Sequence, residues 1–145
     1  MKVYIGTDHR GTDRELQIIN YLNVKKIKTI ECTIPHTPTD DYVDFAKDVC
    51  TNVAKDKDSV GILICGSGIG MSIAANKIKG IRAARCVSVR DAKSTRIDND
   101  ANVLCLSYET NEETTYEIVD AFLNTPFSNE DRHIRRINKI ADLEK

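Results

Sequence analysis

Cys65 ends an almost wholly apolar run, Val60 to Cys65, and is followed at once by Gly66-Ser67-Gly68-Ile69-Gly70. Glycine admits positive φ and lets a ligand come close to the backbone. Successive amides ahead of a helix form a hollow that suits negative charge. A thiol beside those amides is biased toward thiolate, which can abstract a proton, attack an electrophile or be oxidised. Amides next to it can hold an oxyanion as it forms. A base beside an oxyanion cradle is what enolisation next to a carbonyl requires. On these residues alone two plainer readings stay open, a tight turn and a thiol that merely ends a buried strand. The loop is neither G-x-G-x-x-G nor a P-loop, and no acidic residue follows at the distance that a dinucleotide ribose requires.

Other residues fit chemistry on a phosphorylated or carbonyl substrate. Asp8 and His9 follow the first apolar run, and a loop histidine can bind phosphate or carry protons, or simply face water. A turn-rich loop holds His36, Asp40 and Asp41, and Ile97-Asp98-Asn99-Asp100 precedes a later strand. Arg132 and Arg136 stand at i and i+4, so one helix face presents both. The pair can fork onto a phosphate or form an ordinary solvated face.

The elements that must position these residues can be read from apolar spacing. Strands are predicted at Lys2–Gly6, Lys28–Thr33, Val60–Cys65, Ile81–Cys86 and Asn102–Ser107. Helices are predicted at Arg14–Lys25, Tyr42–Lys55, Gly70–Lys79, Asp91–Ile97, Glu112–Asn124 and Asn129–Glu144. Alternation of strand and helix implies one domain over residues 1–145, a parallel sheet with helices on both faces. Ligands of such sheets bind beyond the carboxyl ends of the strands, where the strand order reverses.

Composition narrows the function classes. A formal net charge of −1 creates no overall attraction to nucleic acid or anionic membrane. No apolar run approaches a bilayer span, and MKVYIGTDHRG is too short in apolar residues for a secretory leader. A cytoplasmic setting is expected. The five cysteines are scattered, with no C-x-x-C pair, so neither a disulfide framework nor a zinc site is indicated. Four of them read as small buried hydrophobes.

The stretch CGSGIGMSIAANKIKGIRAA, Cys65 to Ala84, closely resembles the signature of the ribose-5-phosphate isomerase B / galactose-6-phosphate isomerase family. GTDHRG from Gly6, TDDYVDFA from Thr39, RIDNDANVLCL from Arg96 and RHIRR from Arg132 match in the same order, so the resemblance covers nearly the whole chain. It implies a Rossmann-like three-layer α/β/α subunit with a five-stranded parallel sheet. It also implies a homodimer or tetramer whose sites are shared between subunits, with the last helix packing on the partner. The implied activity is metal-free and cofactor-free interconversion of an aldose phosphate and a ketose phosphate through a cis-enediolate, ribose 5-phosphate being the first choice. By position, Cys65 would be the proton-transfer base and Ser67 would hydrogen-bond the reacting oxygens. The amides of Gly66 to Gly70, those of Gly66, Gly68 and Gly70 included, with Asn99, would hold the enediolate. Asp8 and Tyr42 would bind the sugar, while His9, Arg132 and Arg136 would bind the phosphate.

Four departures stand out. Asp98 occupies the place of a family histidine assigned to ring opening, a task left to Asp98 or His133. Val43 replaces a usual proline, Ser67 a commoner threonine, and Arg10 a residue that is generally small or apolar. They leave a hexose 6-phosphate isomerase and a non-catalytic sugar-phosphate binder as the rival functions. A thiol redox role ranks behind both, because no resolving cysteine is near in sequence.

Overall fold

The computed structural model describes all 145 residues. Strands β1 (Lys2–Thr7), β2 (Lys28–Glu31), β3 (Ser59–Cys65), β4 (Ala83–Arg85) and β5 (Val103–Ser107) alternate with helices. The helices are α1 (Thr12–Val24), α2 (Tyr42–Lys55), α3 (Ile69–Ala75), α4 (Val89–Asn99), α5 (Glu112–Asn124) and α6 (Asp131–Asp142). The strands form one sheet in the order β2-β1-β3-β5-β4, parallel at every pairing. The predicted three-layer class is therefore observed.

Side chains alternate across the central strands. Ile62 and Ile64 of β3 pack with Ile18 and Leu22 of α1 and with Ile118 and Phe122 of α5. Leu63 and Cys65 point the other way, to Phe45, Val49 and Met71 of α2 and α3. Every residue of β3 and β5 is buried, as a strand covered on both faces should be. Each fully buried isoleucine or leucine contributes about 1.5–3 kcal/mol.

Most boundaries shift by one or two residues from the expectation, and the shifts at α3, β4 and α4 have local reasons. Asn76 ends α3 early: its amide nitrogen donates to the Ala83 carbonyl and its oxygen accepts the Ala83 N–H. That side chain acts as a short partner for edge strand β4. The predicted strand from Ile81 shrinks because Asn102 takes the Arg82 N–H. Helix α4 starts earlier and ends later than expected. Ser88 caps it by accepting the Asp91 N–H, and Asp100, at φ +46°, closes it. Helix α6 lies outside the layers, with His133 its only buried residue, Ile134 and Ile140 exposed on it and Leu143 exposed just past its end.

Candidate active site

The chain leaves β1 toward β2 on one side and returns to place β3 on the other. The carboxyl ends of β1 and β3 thus lie side by side at a reversal of strand order, with Thr7 opposite Ile64. A cavity of about 310 Å³ opens there, lined by Asp8, His9, Arg10, Asp40, Tyr42, Cys65, Gly66, Ser67 and Gly70.

Cys65 is held at the cavity floor by its backbone and its sulfur. It pairs with Ser107 across the sheet, and its carbonyl accepts the Tyr108 N–H. Its Sγ accepts the Gly68 N–H at 3.2 Å. Gly68 sits at φ +79°, and a Cβ there would lie 3.0 Å from the Leu106 carbonyl carbon, so only glycine fits. At Gly70 a Cβ would meet the Tyr42 ring at 2.7 Å, so the missing side chain is what lets the tyrosine lie against the loop. The Ile69 N–H donates to Ser67 Oγ. Two amides expected to form the anion hollow are therefore already partnered within the loop, and α3 behind it has only seven residues.

His9 is fixed by Asp40. Its backbone N–H donates to Asp40 Oδ1 at 3.0 Å, and its ring Nδ1 lies 2.7 Å from the same oxygen. His36 Nδ1 and the Thr37 N–H reach Oδ2. Burial disfavours the Asp40 carboxylate, but the His9, His36 and Thr37 hydrogen bonds outweigh it and bring the group down to about 2. With the carboxylate ionised, Nδ1 is the donor and Nε2 is the nitrogen left for a ligand. Asp8 is buried beside them and accepts the Arg10 N–H.

The other predicted site residues lie elsewhere. Asp98 and Asn99 occupy the last turn of α4, and that end of the helix leads into the amino end of β5. Residues preceding a parallel strand stand at the end of the sheet opposite the cavity, so their grouping with the strand-end residues is corrected. Asn99 lines a larger cavity of about 580 Å³ with Arg82, Ile140 and Leu143, which contains no thiol. Size does not choose between the two cavities; the thiol, the fixed imidazole and the carboxylate are all in the smaller one. Arg132 and Arg136 are exposed on α6, and only Arg132 has a carboxylate near, Glu130. His133 is buried with its Nε2 3.2 Å from Glu130 and 3.4 Å from Asp98, yet that nitrogen makes no hydrogen bond.

The family described as Ribose/Galactose Isomerase matches residues 3–140. The chain belongs to this family. It is similar to type B ribose 5-phosphate isomerase of Trypanosoma brucei, with 44% identity, TM-score 0.93, and coverage of 99% of this chain and 98% of that one. It is also similar to ribose-5-phosphate isomerase B of Mycoplasma genitalium, solved with bound ribulose 5-phosphate: 40% identity, TM-score 0.93, coverage 99% and 95%. Ribose-5-phosphate isomerase B of Mycolicibacterium paratuberculosis is 39% identical over 149 residues, 100% of this chain and 92% of its own length.

Within this Ribose/Galactose Isomerase chain, Asp8, His9, Tyr42, Cys65, Gly66, Ser67 and Gly70 meet in one place; Gly68 supports them from beneath. Sequence reading missed Asp40 as the residue that aims His9. The signal was faint, an acidic residue just after two prolines in a loop that also carries a histidine. It also missed Ser107, whose hydroxyl donates to the Gly66 carbonyl at 2.8 Å and ties the loop to β5. The remaining cysteines are silenced by burial, which pushes the thiols of Cys32, Cys50 and Cys86 up to about 12 and Cys105 well above the ordinary range.

Proposed function

We propose that the chain interconverts ribose 5-phosphate and ribulose 5-phosphate by moving one proton between C2 and C1. The observation that carries this is Cys65 Sγ on the floor of a cavity shared with Asp8, the aimed His9 and Ser67. The Cys65 thiolate removes the C2 proton of the open-chain aldose, and the electron pair forms the C1–C2 double bond of a cis-enediolate. The same sulfur returns the proton at C1, while the hydroxyl proton passes from O2 to O1. The Ser67 hydroxyl and the amides of Gly66 and Gly70 face the charge that develops on those oxygens. Asp8 and Tyr42 hold sugar hydroxyls, and His9 holds phosphate through the Nε2 that Asp40 leaves free. The membership and the printed names of the relatives support this substrate.

The remaining pieces come from a second subunit in this reading. Asp98 or His133 opens the ring, Asn99 assists at the enediolate, and Arg132 and Arg136 close on the phosphate from the partner's α6. An arginine pair on an exposed helix face, an exposed apolar stripe on the same helix and an unpartnered buried imidazole beside it support that arrangement. Five free cysteines fit a reducing cytoplasm. The test is turnover of ribose 5-phosphate beside galactose and allose 6-phosphates, with Cys65→Ala as control. Pentose turnover falling by about 10²–10⁴ in the variant is expected, the range for removal of a positioned base. Turnover that survives the substitution would sink the assignment of Cys65.

A further inference from the structure

The cavity holds one cation that neither the mechanism above nor the family pattern uses. Arg10 follows His9 at the end of β1, and its side chain lies over Gly66. A methyl group built on Gly66 would come 3.1 Å from Arg10 Nη1 and 3.7 Å from its Cδ. The guanidinium therefore packs against the bare Cα of Gly66, beside Cys65 in the cavity wall. Only the Arg10 backbone makes a hydrogen bond, to Asp8 Oδ1 at 3.0 Å. The guanidinium has no hydrogen bond and no carboxylate within ion-pair distance. Arg90, Arg135 and Arg136 also make no side-chain hydrogen bond but do not line the cavity, Arg132 reaches Glu130, and four others are tied to the body of the chain. Arg14 reaches Thr110 and Thr115, Arg82 reaches Asn99 and Asp100, Arg85 reaches Ser67, and Arg96 reaches Thr125 and Ala101.

The charge of the cavity makes this placement matter. Its two carboxylates are Asp8 and Asp40, and Asp40 is already engaged by both histidines. No lysine and no other arginine lines it. A dianionic ligand entering this subunit alone meets one permanent positive charge, with donors in a planar fork that fits a phosphate.

We propose that Arg10 is a substrate-binding residue that holds the phosphate of the sugar from the same subunit as Cys65. The assignment rests on the sugar-phosphate reading above and adds to it a contact supplied within the subunit. Arg10 acts on binding rather than on proton transfer, so its loss raises KM and leaves kcat nearly unchanged. Because a guanidinium stays charged across the working range, the effect does not depend on pH.

The experiment compares the full chain with Arg10→Met and Arg10→Lys. It measures kcat and KM for ribose 5-phosphate from pH 6 to 9, inhibition by inorganic phosphate, and calorimetric binding of inorganic phosphate. Arg10 is exposed, and equal thermal melts verify that the variants fold. In Arg10→Met, KM and the inhibition constant of phosphate should rise together by about 10- to 100-fold, the worth of a charged hydrogen bond. Arg10→Lys should recover part of the loss at every pH. Unchanged KM and phosphate inhibition overturn the proposal. So does a fall in kcat with phosphate inhibition intact, which would put the guanidinium at the reacting carbons. If the wild type turns over no pentose phosphate, the functional reading fails, but calorimetry still decides Arg10: weaker phosphate binding in Arg10→Met supports it, and equal or absent binding overturns it.

Discussion

Two histidine–carboxylate clusters sit at opposite ends of this molecule. At the carboxyl end of the sheet, Asp40 receives two imidazoles and two amides, and every one of those contacts is a formed hydrogen bond. At the seam of α4 and α6, His133 lies between Glu130 and Asp98 at similar distances, yet its Nε2 is buried without a partner. The first cluster is finished within one chain. The second leaves a buried polar atom unsatisfied, at a cost of about 1–3 kcal/mol, on a helix that packs on almost nothing. A finished cluster next to the thiol and an unfinished one beside two exposed arginines are what two halves of a shared site would look like.

The sharpest way to break the comparison is to place the lesions on different chains. Cys65→Ala and Arg132→Ala, each inactive alone, should regain roughly a quarter of wild-type activity when unfolded, mixed equally and refolded, because half the dimers then carry one intact site. No recovery would mean that the clusters belong to separate functions. A smaller loss should follow Asp40→Asn, which keeps the shape and removes the charge that aims His9. Phosphate affinity should drop about tenfold, read as KM and as inhibition by inorganic phosphate, with Cys65 alkylation unaffected. His133→Leu should separate stability from activity: thermal melts of the single chain should rise by about 1 kcal/mol in stability, while turnover falls several-fold if the imidazole serves the reaction.

The smallest effect concerns Glu15, which is buried against Glu31 and belongs to neither cluster. Burial first, then the hydrogen bond and repulsion of Glu31, pushes its carboxyl up to about 9. Its folded value lies above its unfolded one, so the native state binds the extra proton. Stability should fall as pH rises from about 4 toward 9. Glu15→Gln should melt higher than wild type at pH 8 and close to it at pH 4, with activity unchanged. Parallel pH–melting curves for the two proteins would contradict this.

The order of elements and the class of fold were legible because burial leaves a local periodic trace. An unbroken apolar run such as Val60–Cys65 belongs to a strand covered on both faces, and Phe45, Val49 and Val53 mark one side of a helix. The thiol at the start of a glycine loop was equally plain, since adjacent residues stay adjacent in any fold. Asp98 and Asn99 were misplaced because an approach to a strand was treated like a departure from one. A parallel sheet sends those two groups to opposite ends.

By itself, then, the sequence determined the α/β alternation, the apolar faces and the short runs Asp8-His9-Arg10 and Cys65–Gly70. Only the tertiary structure decided that β1 and β3 are neighbours, that Asp40 comes back over 31 residues to grip His9, and that Arg10 lies in the space that Gly66 leaves open. Local patterns follow from each residue's own preference for water or core. Strand order and long-range pairing depend on how the crossovers pack, and no short window of sequence contains that information.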